Sequence, residues 1–166
     1  IQSVFTRYIN ILAPIEYFQM TPLFKKLNFK NHKAILVLNA PASFVSEKEA
    51  MANETVFYDN ENEIITIDFV MVFVTQLQEI ETAITSLFPK INGDAIVWFC
   101  YPKGTSKKYK CEFNRDNGWA VLGNFGFEPV RMVAVDEDWS ALRFRKTTYI
   151  KTLTRSSSFA ISADGK

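Results

Sequence analysis

Glycine is scarce in this sequence. There are six in 166 residues, and the first is Gly93. Every loop before that point must turn without the one residue that adopts positive φ freely. A glycine-rich nucleotide cradle is therefore excluded from everything before Gly93. Histidine is scarcer still, since His32 is alone. That removes histidine pairs, and with them the common zinc sets. The two cysteines, Cys100 and Cys111, fit no metal or redox spacing and read as reduced thiols. An excess of one charge is lacking too. Nineteen basic and 18 acidic residues leave a net charge of +1, so bulk electrostatics argue for neither nucleic acid nor membrane. Unbroken apolar runs such as "FVMVFV" are far too short to cross a bilayer.

What is present points to a packed core. Apolar residues make up 48% and charged residues 22%, with 15 phenylalanines. A chain of this length and composition reads as one globular domain. Its charges are segregated: Glu47, Glu49, Glu54, Asp59, Glu61, Glu63 and Asp68 crowd one stretch, and Lys103, Lys107, Lys108 and Lys110 another. The opening "IQSVFTRYINILAPIEYFQ" has no small-residue cleavage site and no long apolar centre, so it reads as a poor signal peptide. Residues 1–19 read as an N-terminal extension or a gene-start artefact, with Met20 a more ordinary start. The domain proper is read as residues 20–146, and residues 147–166 as a polar C-terminal tail.

Within the domain, "PLFKKLNF" (22–29) reads as a short helix with proline in its first turn. "KAILVLNAP" (33–41), "DFVMVFVT" (68–75) and "DAIVWFCY" (94–101) are continuous apolar runs. Such runs imply strands buried on both faces, as in a parallel sheet. "SFVSEKEAMA" (43–52) reads as a helix capped by Ser43, and "TVFYD" and "EIITI" as short strands. Leu77, Ile80, Ile84, Leu87 and Phe88 recur at helical spacing. A further helix is expected with Asn114 as cap and Trp119, Leu122 and Phe125 along it. "EPVRMVAV" and "WSALRFRK" alternate and are separated only by "DED", so they must pair antiparallel. The alternation implies helices on both faces of a mostly parallel sheet. Ending in an antiparallel hairpin, this is an α/β, three-layer, Rossmann-like (methyltransferase-like) architecture.

Ligands of such sheets bind outside the carboxyl ends of the strands. That rule selects Asn39, Ala40 and Pro41; Thr75 and Gln76; Tyr101, Pro102 and Lys103; and the acidic turn Asp136, Glu137 and Asp138. "LNAPASF" has alanine and proline where a cofactor loop needs glycine. "PKGTSKK" has one glycine and is not a phosphate-binding P-loop, although its lysines attract phosphate as point charges. His32 precedes the first strand, at the far end of the sheet. The acidic turn has the residue types for acid–base work or a divalent cation, and equally for a solvated hairpin tip. Trp139, Arg143 and Arg145 fall on one face of the last strand, suited to an anion or a partner, or to discouraging edge aggregation.

"TPLFKKLNFKNHKAILVLNAP", "DFVMVFVT", "WFCYPKGTSKKYKCEFNRDNGW" and "PVRMVAVDEDWSALRFR" together resemble domain-of-unknown-function family 3052 and its relatives, small bacterial Rossmann-like proteins. The resemblance covers about residues 20–146. It implies the domain limits and a bacterial, cytoplasmic origin, and no reaction. Its signature positions here are Asn39, Pro41, Tyr101, Pro102, Lys103, Asp116, Gly118, Trp119, Asp136, Trp139, Ser140 and Arg143.

The leading reading is a non-enzymatic binder of a small anionic ligand, such as a nucleotide, at the carboxyl edge of the sheet. Its expected site is Asn39, Pro41, Tyr101, Lys103, Lys107, Lys108, Asp136, Trp139 and Arg143, with no metal. One alternative is a divergent methyltransferase-like transferase lacking the glycine-rich loop. Another is a protein or RNA interaction module using the lysine loop and the face of Arg143 and Arg145, although one basic loop in a near-neutral chain is weak ground for nucleic acid.

Overall fold

The computed structural model describes residues 18–152 and 160–163. Most of the extension expected at residues 1–19 lies outside these. Of the part described, Phe18 stacks on Phe29 with ring centroids 6.4 Å apart.

The elements are helix α1 (Pro22–Lys26), strand β1 (Ala34–Leu38), helix α2 (Val45–Ala50), β2 (Val56–Tyr58), β3 (Ile67–Phe73), α3 (Leu77–Leu87), β4 (Ile91–Pro102), α4 (Ala120–Asn124), β5 (Phe127–Ala134) and β6 (Trp139–Lys146). They build one six-stranded sheet in the order β2-β1-β3-β4-β6-β5. β2, β1, β3 and β4 run parallel, and β6 runs antiparallel between β4 and β5. The three continuous apolar runs are the three central parallel strands, which are covered on both faces.

The helices divide between those faces. Leu23, Phe24, Leu27, Phe44 and Met51 from the α1 and α2 region pack on Phe69, Met71, Phe73, Trp98 and Trp139. Ile80, Ile84, Leu87 and Leu122 from α3 and α4 pack on Val70, Val72, Val97, Phe99 and Phe144. Local chemistry fixes where the helices start. The Thr21 side chain accepts from Phe24 N at 3.2 Å, ahead of Pro22 at the first position of α1. Gln76 and Glu79 form a reciprocal capping box at α3.

Several expectations are corrected. Residues 42–44 form a 3₁₀ turn before α2, so Ser43 lies inside that turn and caps nothing. "EIITI" is not a strand of its own. Residues 61–63 are a 3₁₀ turn, and β3 begins at Ile67. α4 is only five residues, and Asn114 belongs to a separate turn whose Oδ1 accepts from Asp116 N. β4 begins at Ile91, before Gly93, which bends it at φ +49°. The register with β3 shifts there, since Ile67 pairs with Ile91 but Phe69 with Ile96.

Within the stretch read as a polar tail, residues 160–163 pack against the domain. Ala160 is 7% exposed and Ser162 is fully buried. Glu128, itself 1% exposed, accepts hydrogen bonds from Ile161 N, Ser162 N and Ser162 Oγ. Among the described residues no helix is long and apolar enough to cross a membrane.

At the amino end of the sheet, Arg145 donates from Nε to Asp94 Oδ1 at 2.8 Å and pairs through its terminal nitrogen as well. The hydrogen bonds from Arg145 hold the Asp94 carboxyl below its ordinary pKa. A carboxyl depressed in the folded state stabilises the fold above its unfolded pKa, and that contribution is lost as pH falls through the folded value. Asp94→Asn is therefore expected to destabilise the fold at neutral pH by about 1 kcal/mol or less for so exposed a pair, read as a small drop in melting temperature. The gap to the native chain should close as pH falls through the depressed pKa of folded Asp94, because the carboxyl is then protonated in both the folded and the unfolded chain. A gap that persists there would assign the effect to packing.

Candidate functional site

β1 and β3 are neighbours from which the chain departs in opposite directions, so their carboxyl ends form the switch point where open α/β sheets bind ligands. The turn after β1 is made by Asn39 at φ +57°, a conformation asparagine tolerates better than other non-glycine residues. Asn39 Nδ2 reaches Phe73 O at 3.5 Å, spanning β1 and β3, and Pro41 leads directly into the 3₁₀ turn. The cleft beside Asn39 has a volume of about 270 Å³. The polar groups around it are already engaged. Glu79 Oε2 accepts from Thr75 N and Gln76 N, and Glu61 Oε2 accepts from Ser86 Oγ.

The lysine loop that follows β4 is bonded to the acidic turn between β5 and β6. Lys103 N donates to Asp138 O at 2.7 Å, and Lys103 Nζ donates to Asp136 O. Ser106 Oγ donates to Asp138 Oδ1 at 2.8 Å, and Lys108 lies 3.8 Å from Asp138 Oδ2. Asp136 Oδ1 accepts from Asp138 N and Trp139 N, closing the turn, while Oδ2 accepts from Ser43 Oγ. The acids thus organise the turn and neutralise part of the loop. Among the described residues no group of three or more histidine, cysteine or acidic side chains is placed to hold a metal ion. Tyr109 folds back so that its ring lies 4.9 Å from that of Trp139, whose other neighbour is Phe73 at 5.1 Å.

On the opposite side of the loop lies a recess of about 710 Å³. Its walls are the end of β4 (Tyr101, Pro102), Ser140 of β6, which pairs with Tyr101, and residues 103–106 and 109–115, Lys107 and Lys108 excepted. Residue 112 is also absent from the lining, so the walls carry Lys103, Lys110 and Arg115 and no carboxylate. Arg115 pairs with Asp116, but both are exposed, so this pair holds the guanidinium weakly. Burial pushes the Tyr101 phenol and the Cys111 thiol above their ordinary pKa values. Both are protonated near neutral pH. The recess therefore offers cations and hydrogen-bond donors rather than a base or a thiolate.

Of the expected site residues, Tyr101 and Lys103 line this recess. Asp136 and Trp139 stand behind the loop and hold it, while Lys107 and Lys108 project from it, exposed. Asn39 and Pro41 belong to the switch point. Arg143 is displaced from the expected edge. It pairs with Trp98 and Arg131 in mid-sheet, where burial pushes its pKa down. Residue alternation gave its face, but its distance along the strand takes it away from the carboxyl end. His32 lies at the amino end as expected, with its ring 5.2 Å from Phe69 and Nδ1 accepting from Lys30 N. The recess is also lined by Lys110, Arg115 and Ser140, which were not among the expected site residues. Lys110 stood in the quoted lysine run, and Ser140 follows from the Tyr101 register. Arg115 carried no local signal.

No family model matches the chain, and no curated protein does. Solved structures do. A SAM-dependent methyltransferase from Aquifex aeolicus is 12% identical with a TM-score of 0.51, over 74% of this chain and 87% of that one. LepI, in complex with SAM, is 9% identical with a TM-score of 0.52, over 76% of this chain; the chain spans only 47% of LepI. At such identities the likeness is one of fold: the chain has the Rossmann-like α/β fold of the SAM-dependent methyltransferases.

Proposed function

We propose that this protein is a non-catalytic member of that fold that binds a small anionic ligand in the recess at the carboxyl end of β4. The observation that carries the reading is the lining of the recess: Lys110 and Arg115, with Lys103 beside them bonded to Asp136 O, several hydroxyl side chains and, among the described residues, no carboxylate. Its volume lies within the roughly 300–1,000 Å³ of small-molecule sites. The titratable Tyr101 and Cys111 are held protonated, which suits binding and does not suit proton abstraction or nucleophilic attack. The resemblance to family 3052 adds no reaction to weigh against it.

The solved relatives raise SAM as the alternative ligand. The residues at this chain's switch point do not fit it. The turn is built from Asn39, Ala40 and Pro41, which present side chains and a missing N–H where backbone would have to approach a cofactor. The Asn39 amide bridges β1 and β3. The cleft of about 270 Å³ falls below the usual range for a ligand of that class.

The test is thermal unfolding of the full chain with inorganic phosphate, ADP, glucose 6-phosphate and SAM. A phosphorylated compound near 100 times its Kd should stabilise by about 2.7 kcal/mol, a rise of roughly 5–11 °C. Lys110→Ala with Arg115→Ala should abolish the rise, and Lys107→Ala should leave it. No rise with any phosphorylated compound sinks the small-anion reading. A rise with SAM that is sensitive to Asn39→Ala would move the site to the switch point and restore group transfer.

A further inference from the structure

β5 is the outer strand on the hairpin side of the sheet and, among the described residues, is paired with β6 alone. The turn fixes which of its backbone groups face outward. Val135 N donates to Trp139 O at 2.9 Å, and hydrogen-bonded pairs recur at every second residue of an antiparallel ladder. Val133 and Arg131 therefore bond inward, to Ala141 and Arg143. The N–H and C=O groups of Met132 and Ala134 point away from the sheet. Outward groups of this kind are a template for another strand.

A groove of about 640 Å³ lies beside this strand, lined by residues 129–132 of β5 and by residues 149–152. Its lining among the described residues includes Arg115, Arg131, Arg145 and Lys151 and no acidic residue. Arg115 and Arg145 have carboxylates of their own, but Arg131 and Lys151 belong to none of the ion pairs found among the described residues. The groove is also apolar in places. Val130, Met132 and Tyr149 are 41%, 48% and 40% exposed, three of the eight large apolar side chains so exposed among the described residues. Alternation along β5 places Arg131 on the face of Val133, and Met132 on the opposite face. The slot thus matches an extended chain that is acidic on one face and apolar on the other.

We propose that the β5 edge binds an extended acidic segment of a partner protein by strand addition. Main-chain bonds to Met132 and Ala134 would supply affinity, and alternate side chains would supply specificity. A single-stranded nucleic acid would use the cations but leave those outward N–H and C=O groups without their matching partners. The proposal does not depend on the anion recess.

The experiment uses the full chain and a fluorescein-labelled, end-blocked heptapeptide of alternating glutamate and valine. Saturable binding by anisotropy is expected, weakening as salt is raised, with slowed amide exchange at Met132 and Ala134. Met132→Pro removes an outward N–H and leaves the β6 ladder in place. It should weaken binding at least about ten-fold, as should Arg131→Glu combined with Lys151→Glu. Lys110→Ala should have no effect, which separates this edge from the recess. A probe N-methylated at alternate amides loses the same bonds without touching the protein, so the test stands even where Met132→Pro fails to fold. Equal affinity for the native and N-methylated probes, or no saturable binding, overturns the proposal. Tighter binding of an oligouridylate would assign the groove to nucleic acid instead. A dimer in sedimentation that Met132→Pro dissolves, without peptide binding, would assign the edge to a second copy of the chain.

Discussion

Replacing Trp98 by alanine is expected to cost about 3–5 kcal/mol and to lower the melting temperature by roughly 6–20 °C. Trp98 is fully buried in the middle of β4, between Met71 of β3 and Arg143 of β6. Its indole Nε1 donates to Leu27 O at 3.0 Å, across 71 residues of sequence. Leu27 caps α1, a helix of five residues, too short to persist unless tertiary contacts hold it. The tryptophan therefore fills the core and also anchors α1 to the sheet. Trp98→Phe separates the two roles. It keeps most of the apolar volume and leaves the buried Leu27 carbonyl without its donor, at a cost of about 1–3 kcal/mol. Denaturant titration of both variants measures the difference, and amide exchange at Phe24 and Leu27 should quicken in each. A loss below about 1 kcal/mol for the alanine variant would be incompatible with a packed core at this position.

The sheet was legible in the sequence because its central strands are buried on both faces. "AILVL", "FVMVFV" and "AIVWFC" had no other role open to them in a chain of this size. The hairpin followed from the three-residue gap before Trp139. The boundaries that failed depend on single backbone events. "DAIVWFCY" begins at Asp94, but β4 starts at Ile91 and bends at Gly93. Ser43 looked like a cap, but its hydroxyl is taken by Asp136, 93 residues away. The location of the site was legible only in part. Strand order put the lysine loop and the acidic turn on the same edge, and there they are. What charge counting along the chain missed is that they meet each other. Lys103 and Lys108 go to the acidic turn, while Lys110 and Arg115 turn to the recess. Opposite charges distant in sequence cancel only once the fold is built.

Gly123→Ala is expected to expel residues 160–163 from the domain. A Cβ at position 123 would lie 1.9 Å from Ile161 O and 2.3 Å from Ile161 C, both backbone atoms that no side-chain rotation can move aside. The φ of Gly123 does not demand glycine; the neighbouring chain does. Displacing that chain strips Glu128 of the hydrogen bonds it accepts from Ile161 and Ser162. Its other oxygen, Oε2, is already buried without a partner. Hydrogen bonds to a charged group contribute about 1.5–3 kcal/mol each. They do not add fully, because Glu128 regains water once the segment has left. A loss of about 3 kcal/mol is expected, with new protease cleavage beyond Thr152 and fast amide exchange at Ile161 and Ser162. Glu128→Gln keeps an acceptor oxygen but gives up the charge, so it should weaken the same attachment without the steric clash. It is expected to open the segment less often than Gly123→Ala. If Gly123→Ala leaves those two amides protected, the segment is not held against α4. If only Glu128→Gln exposes them, the carboxylate rather than the close approach at Gly123 holds the chain in place.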